Sequence, residues 1–202
     1  MPYVFLLIVA IGVLTYTKGD EIMDSTAPYT PAWNKYDAWF KYYASVNGLP
    51  SAGWKWLKAL ALNESSLGQN PLVIAGKWSS DGLSRGLMQL TVTTANDYEK
   101  WVPSVANLRN VNSADYDPDQ YAELGYLLDD DETSIRIAAK HFARIYRKFN
   151  NLEYGVKAYN QGEGNQAKEI AYRAAGGVGK YEAAQTYWER FQRNLASVEA
   201  KP

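Results

Sequence analysis

Residues 51–65 read SAGWKWLKALALNES, and their apolar positions recur with the period of about 3.6 residues that marks an α-helix. The apolar face of this helix would consist of Trp54, Leu57, Leu60 and Ala61. Glu64 falls on the same face, close to the C-terminal end of the helix. The sequence therefore predicts a helix, opened by Pro50-Ser51, that carries a carboxyl group among apolar side chains.

Helical periodicity continues on both sides of this segment, and strand signals are weak throughout the chain. A helix should begin at Thr30-Pro31 and end at Asn47-Gly48, because threonine caps helix N-termini and Asn-Gly pairs end helices. The other predicted helices cover residues 92–101, 118–128, 133–149, 152–160, 164–175 and 180–195. We expect a long loop or short irregular pieces over residues 68–86, and a loop over the polar, poorly periodic residues 103–117. The predicted fold class is all-α.

Composition excludes several classes of function. The 202 residues carry a net charge of −1 and no long basic run, which argues against a partner made of nucleic acid. The chain has no cysteine, so disulfides, zinc-thiolate sites and cysteine nucleophiles are impossible. A single histidine, His141, cannot form a His-rich metal site, and we expect a structural role for it. We predict neither a bound metal nor a cofactor.

The first residues differ from the rest of the chain. Residues 1–17 contain the apolar run VFLLIVAIGVL, which is shorter than the roughly 20 residues that cross a bilayer comfortably. We interpret it as a membrane anchor; a cleaved signal peptide and a buried core helix are the alternatives. Residues 18–30 are polar and form a predicted linker. The expected catalytic domain then covers residues 31–195, and residues 196–202 form a tail.

Glu64 is the first candidate for chemistry. Burial on an apolar face and the negative end of the helix dipole both favour a protonated carboxylic acid over a carboxylate. A carboxylic acid of this kind can donate a proton to a glycosidic oxygen. A buried glutamate can equally be a structural group with satisfied hydrogen bonds, so Glu64 by itself does not decide the function.

Four segments, taken in order, resemble one family. They are ALNESSLGQNP (61–71), GLSRGLMQLT (82–91), YGVKAYNQGEG (154–164) and EAAQTYWERF (182–191). The Glu64-Ser65 pair, the Gly86-Leu87-Met88-Gln89 run and the Ala158-Tyr159-Asn160 run resemble the SLT-type lytic transglycosylases. These enzymes have a lysozyme-like fold and are related to goose-type lysozyme. The resemblance covers roughly residues 50–193.

The resemblance implies roles for particular residues. Glu64 would be the single catalytic acid/base. The implied substrate-binding residues are Ser65, Met88, Gln89, Tyr159, Asn160 and Tyr187. Ser65 has an alternative interpretation as a hydroxyl that ends the helix, and Tyr187 could be a core tyrosine.

The resemblance also implies the reaction and its setting. The enzyme would cleave the MurNAc-GlcNAc β-1,4 bond of a peptidoglycan glycan strand and form 1,6-anhydro-MurNAc. It would be held at a membrane by its N-terminal segment, with the catalytic domain on the peptidoglycan side, in a cell envelope or a virion.

Two alternatives to this reaction stay open. A hydrolytic muramidase would need a second carboxylate; Thr91 stands where goose-type lysozymes have an Asp, and Asp81 lies in the preceding loop. A non-catalytic glycan-binding protein would keep the groove without the reaction.

Overall fold

The computed structural model describes residues 31–79, 82–102 and 118–201. The predicted anchor, linker and loop at 1–17, 18–30 and 103–117 lie outside the described residues, and so does Asp81. The part that is described is predominantly helical, consistent with the predicted all-α class. None of the helices in the described ranges is long and apolar enough to cross a membrane.

The described residues form a series of α-helices and one 3₁₀ turn. They are α1 Pro31–Asn34, α2 Asp37–Val46, α3 Gly53–Ser65, α4 Pro71–Ile74, α5 Val92–Glu99, α6 Pro118–Tyr126, a 3₁₀ turn Leu127–Asp129, α7 Asp131–Phe149, α8 Leu152–Gln161, α9 Glu163–Ala174 and α10 Glu182–Ala200. Two short strands, β1 Ser84–Arg85 and β2 Leu90–Thr91, pair antiparallel between α4 and α5.

Side-chain caps explain where several helices begin. Asp130 accepts a hydrogen bond from the Thr133 N–H at the start of α7, and Asn151 accepts one from the Tyr154 N–H at the start of α8. Such caps satisfy backbone donors that have no partner inside the helix. Most predicted helix boundaries agree with the structure to within a few residues.

Two helix predictions need correction. The predicted first helix is interrupted by a turn at residues 35–36, which separates α1 from α2. The last helix continues to Ala200 rather than ending at residue 195, because Val198 is buried in the core and fixes this end of the helix. Residues 196–200, expected in the tail, are therefore helical.

The short hairpin was not predicted, because two-residue strands leave no periodic signal. In its register, Ser84 faces Thr91 and Arg85 faces Leu90. Gly86 follows β1 with a positive φ of 79°. A Cβ at this position would lie 2.0 Å from the Leu128 carbonyl oxygen, so only glycine fits.

Helix α3 lies at the centre of the described domain. It packs against α2 on one side and α10 on another, while α8 packs against α7, α9 and α10. Fully buried side chains between these helices include Phe40, Leu57, Leu60, Phe142 and Phe191. This arrangement brings the C-terminal end of α3 close to both α8 and α10.

Candidate active site

Glu64 is the penultimate residue of α3 and is half-buried. The helix ends one residue later, at Ser65, because Ser66 adopts a left-handed conformation, with φ 53°. The Leu67 N–H then bonds back to the Ala61 carbonyl at 3.1 Å. This turn leaves the Glu64 carboxyl at the negative end of the helix dipole, as the sequence predicted.

The hydroxyl of Tyr187 donates a hydrogen bond to Glu64 Oε1. Tyr187 lies on α10 and is buried. Burial raises the pKa of Tyr187 well above its usual value, and the Glu64 charge raises it further. The tyrosine therefore keeps its proton and remains a donor to the carboxyl group. The resemblance implied a substrate-binding role for Tyr187, and the structure places its hydroxyl on Glu64.

An asparagine pair holds Tyr187 in this position. Asn63 Nδ2 donates to the Tyr187 carbonyl oxygen at 3.1 Å, and Asn194 Nδ2 donates to Asn63 Oδ1 at 2.5 Å. These bonds join the end of α3 to α10 beside Glu64. Neither asparagine was predicted from the sequence. The sequence offered one signal: Asn63 is a polar residue directly before Glu64, on a helix predicted to be buried.

Tyr159 approaches Glu64 from α8. Its hydroxyl donates to the Met88 carbonyl oxygen at 2.9 Å. Burial raises the pKa of Tyr159 well above its usual value, and the charge of Glu64 adds to this increase. Tyr159 is thus near Glu64, as expected, but its hydrogen bond goes to the Gly-Leu-Met-Gln turn.

Hydrogen bonds to Ser134 and within the turn itself stabilise the Gly86–Gln89 turn. The Met88 N–H donates to Ser134 Oγ at 3.0 Å, and Gln89 Nε2 donates to the Gly86 carbonyl at 2.8 Å. The Met88 side chain is fully buried, so what it presents toward Tyr159 is its backbone carbonyl. Contact of Met88 and Gln89 with a sugar stays a prediction.

Ser65 and Asn160 differ in exposure. The Ser65 hydroxyl is buried, donates to the Ala61 carbonyl at 3.1 Å and accepts from the Gly68 N–H at 2.8 Å. These contacts fit the alternative interpretation of Ser65 as a hydroxyl that ends the helix. Asn160 is exposed on α8, next to Tyr159, where a ligand could reach its amide.

A comparison with known families assigns a family to the chain that carries this site. Residues 50–181 match the profile of the Transglycosylase SLT domain, well over half of the chain. The chain belongs to this family. Its membership indicates a peptidoglycan-acting enzyme of the lytic transglycosylase type. No curated protein and no solved structure matches the chain.

The matched range of the SLT domain includes Glu64, the Gly86–Gln89 turn and Tyr159, but it ends before Tyr187. The tyrosine that bonds to Glu64 is therefore supplied by a helix beyond the matched residues.

Thr91 has a structural role in the SLT domain. Its side chain accepts from the Thr94 N–H at 3.1 Å and donates to Thr94 Oγ1 at 3.0 Å, which caps α5. Within the residues that the structure describes, Glu64 is the carboxylate whose charge acts on both Tyr159 and Tyr187. The other candidate, Asp81, lies outside those residues.

His141 lies behind Tyr159 in the SLT domain. Its Nδ1 is 3.2 Å from the Tyr98 hydroxyl, and its ring centroid is 5.5 Å from that of Tyr159. Burial, together with the charge of Arg144, lowers the pKa of His141 to about 4. The imidazole is therefore neutral near pH 7 and packs against the tyrosine, which fits the predicted structural role.

Proposed function

We propose that Glu64 is the single acid/base of a lytic transglycosylase that cleaves the MurNAc-GlcNAc β-1,4 bond and forms 1,6-anhydro-MurNAc. The observation that carries the proposal is the hydrogen bond from the Tyr187 hydroxyl to Glu64 Oε1. In this bond a neutral donor holds one oxygen of the Glu64 carboxyl and orients the carboxyl at the end of α3. Family membership supports the substrate class.

The reaction needs one proton carrier. The Glu64 carboxylic acid protonates the glycosidic oxygen as the bond from that oxygen to C1 of MurNAc breaks. The Glu64 carboxylate then takes the proton from the 6-hydroxyl of the same MurNAc, and O6 bonds to C1. The first proton leaves on the 4-hydroxyl of the departing GlcNAc. The proton taken from the 6-hydroxyl restores the Glu64 carboxylic acid, so the enzyme is regenerated and no water is consumed. Attack within one sugar also benefits from proximity.

The tyrosines support this cycle from the protein side. Tyr187 can stabilise the carboxylate formed after proton transfer, because its hydroxyl remains protonated. Tyr159 holds the Gly86–Gln89 turn through the Met88 carbonyl. We assign the exposed amide of Asn160 and the polar amide of Gln89 to sugar binding.

Digestion of purified sacculi, followed by mass spectrometry of the released muropeptides, tests the proposal. We expect products that end mainly in 1,6-anhydro-MurNAc. Products with reducing ends would instead identify a hydrolytic muramidase. Binding to sacculi without release of any fragment would identify a glycan-binding protein.

We further propose that residues 1–17 hold the enzyme at a membrane on the peptidoglycan side. The apolar run is separated by the polar residues 18–30 from the first helix of the domain. Full-length protein should float with liposomes in a density gradient, and protein lacking residues 1–24 should not. The truncated protein should still digest sacculi. An unfolded truncated protein would instead place the apolar run in the core.

A further inference from the structure

A buried lysine on α8 lies outside the catalytic steps described above. The Lys157 side chain is 2% exposed. Its Nζ donates to Glu153 Oε1 at 2.6 Å, to Gln185 Oε1 at 2.8 Å and to Glu169 Oε1 at 3.3 Å. An ammonium group has three N–H donors, so all of them have partners. A buried charge with this many fixed bonds strongly constrains the groups around it.

The three acceptors belong to three helices. Glu153 lies on α8 itself, Glu169 on α9 and Gln185 on α10. Lys157 thus joins two neighbouring helices to its own.

Glu169 keeps its negative charge inside this cluster. Burial raises the pKa of Glu169, but hydrogen bonds from Arg173 and Gln161 and the charge of Lys157 outweigh burial and hold it below its usual value. Arg173 Nε donates at 2.8 Å and Gln161 Nε2 at 2.7 Å. The cluster is therefore ionised, and positive and negative charges face each other within it.

The cluster lies close in sequence to both active-site tyrosines. Lys157 precedes Tyr159 by two residues on α8, and Gln185 precedes Tyr187 by two residues on α10. Residues two apart on a helix face different sides. The bond between Lys157 and Gln185 therefore spans the two helices that carry the tyrosines, without occupying the space at Glu64.

We propose that Lys157 is a positioning residue for the transglycosylase reaction. Its bond to Gln185 sets the position of α10 relative to α8, which keeps the Tyr187 hydroxyl on Glu64 while Tyr159 bonds to Met88. Lys157 acts through these tyrosines and not on the substrate. The inference rests on the proposed function of Glu64.

Two substitutions and one matched control test the role. Lys157→Met removes the charge at similar volume. Gln185→Leu removes the Lys157 bond to α10, together with an exposed bond from Gln185 Nε2 to Glu189 Oε1 within α10. Glu153→Gln is the control, since it alters a bond to Lys157 within the same helix. We expect both test variants to lower kcat about tenfold and to change KM less than about twofold, because misplacement of a positioned group acts on the chemical step.

The pH profile separates positioning from simple stability. A hydrogen bond from Tyr187 favours the Glu64 carboxylate, so a weaker bond should move the Glu64-dependent limb of the kcat profile to higher pH in both test variants. The Glu153→Gln profile should coincide with the parent. A purely structural role would lower Tm and leave the profile of the folded enzyme unchanged.

A measurement without substrate distinguishes the two possible failures. The Glu64 carboxyl can be titrated by ¹³C NMR, with its signal assigned by comparison with Glu64→Gln. If the parent cleaves no glycan, the proposed function fails, and the Glu64 titration still decides the role of Lys157. If Glu64 titrates with the same pKa as in the parent in folded Lys157→Met and Gln185→Leu, the proposal is overturned. If Lys157→Met does not fold, Gln185→Leu alone decides.

Discussion

Two glutamates in this domain are held in contrasting ways. Glu64, at the end of α3, is half-buried and receives a hydrogen bond from the neutral hydroxyl of Tyr187. Glu169, on α9, is 1% exposed and accepts hydrogen bonds from the cations Lys157 and Arg173. A neutral donor orients a carboxyl group and lets it exchange a proton, whereas paired cations fix it as a carboxylate.

The comparison shows that burial by itself does not decide whether a carboxyl group can exchange a proton. Glu169 is the more buried of the two, yet its partners commit it to one charge state. Glu64 lies where a helix ends, between helices α8 and α10, beside two tyrosines that keep their own protons. The following predictions test this difference between the two carboxyl groups.

Glu64→Gln should have the largest effect on activity. The amide keeps the shape of the side chain but cannot donate the proton, so cleavage of sacculi should fall by about 10²- to 10⁴-fold. Tm should stay close to that of the parent. Exposed Glu199→Gln is the matched control and should digest sacculi like the parent. Activity of Glu64→Gln within a few fold of the parent would remove Glu64 from the mechanism.

Tyr187→Phe should have the next largest effect. A hydrogen bond to a charged group contributes about 1.5–3 kcal/mol, so kcat should fall by roughly 10- to 100-fold. Tyr159→Phe is the comparison variant, because its hydroxyl bonds to the Met88 carbonyl instead. It should lower Tm more clearly than kcat, since a buried carbonyl loses its donor. Equal kcat losses in the two variants would contradict the assigned contacts.

Glu169→Gln should lower stability more than activity. This is the reverse of what we expect for Glu64→Gln. The pKa of Glu169 is lowered on folding, so its contribution to stability is present above the unfolded value of 4.5 and is lost as pH falls through the lower folded value. The stability difference between parent and variant should therefore be largest near neutral pH and shrink below about pH 4.5.

Urea unfolding of both proteins at several pH values measures this difference. A stability difference between them that stays constant down to about pH 3 would show that the ionised form of Glu169 is not the stabilising one.

The smallest expected effect concerns Asp81, which precedes Gly82 in a sequence typical of surface turns. Asp81→Asn should change the rate of glycan cleavage by less than roughly twofold, as surface substitutions usually do. The muropeptide products should also be unchanged. A large loss of rate together with loss of reducing-end products would show that Glu64 works with a second carboxylate.

Local patterns in the sequence predicted most of the helices and the position of Glu64 near the C-terminal end of α3. Apolar periodicity predicted α3 and α7 because it reports which face of a helix is buried. The sequence did not predict the β1–β2 hairpin, whose strands are too short for periodicity. It also missed the extension of α10, which depends on burial of Val198 against other helices.

The sequence by itself determined the all-α class, the position of Glu64 at a helix end and the family motifs that contain Glu64 and Tyr159. Only the tertiary structure decided which tyrosine bonds to Glu64 and which bonds to Met88. It also brought Asn63 to Asn194, and Lys157 to Gln185. These pairs join residues on different helices, and the packing of the helices, rather than any local pattern, sets the distances between them.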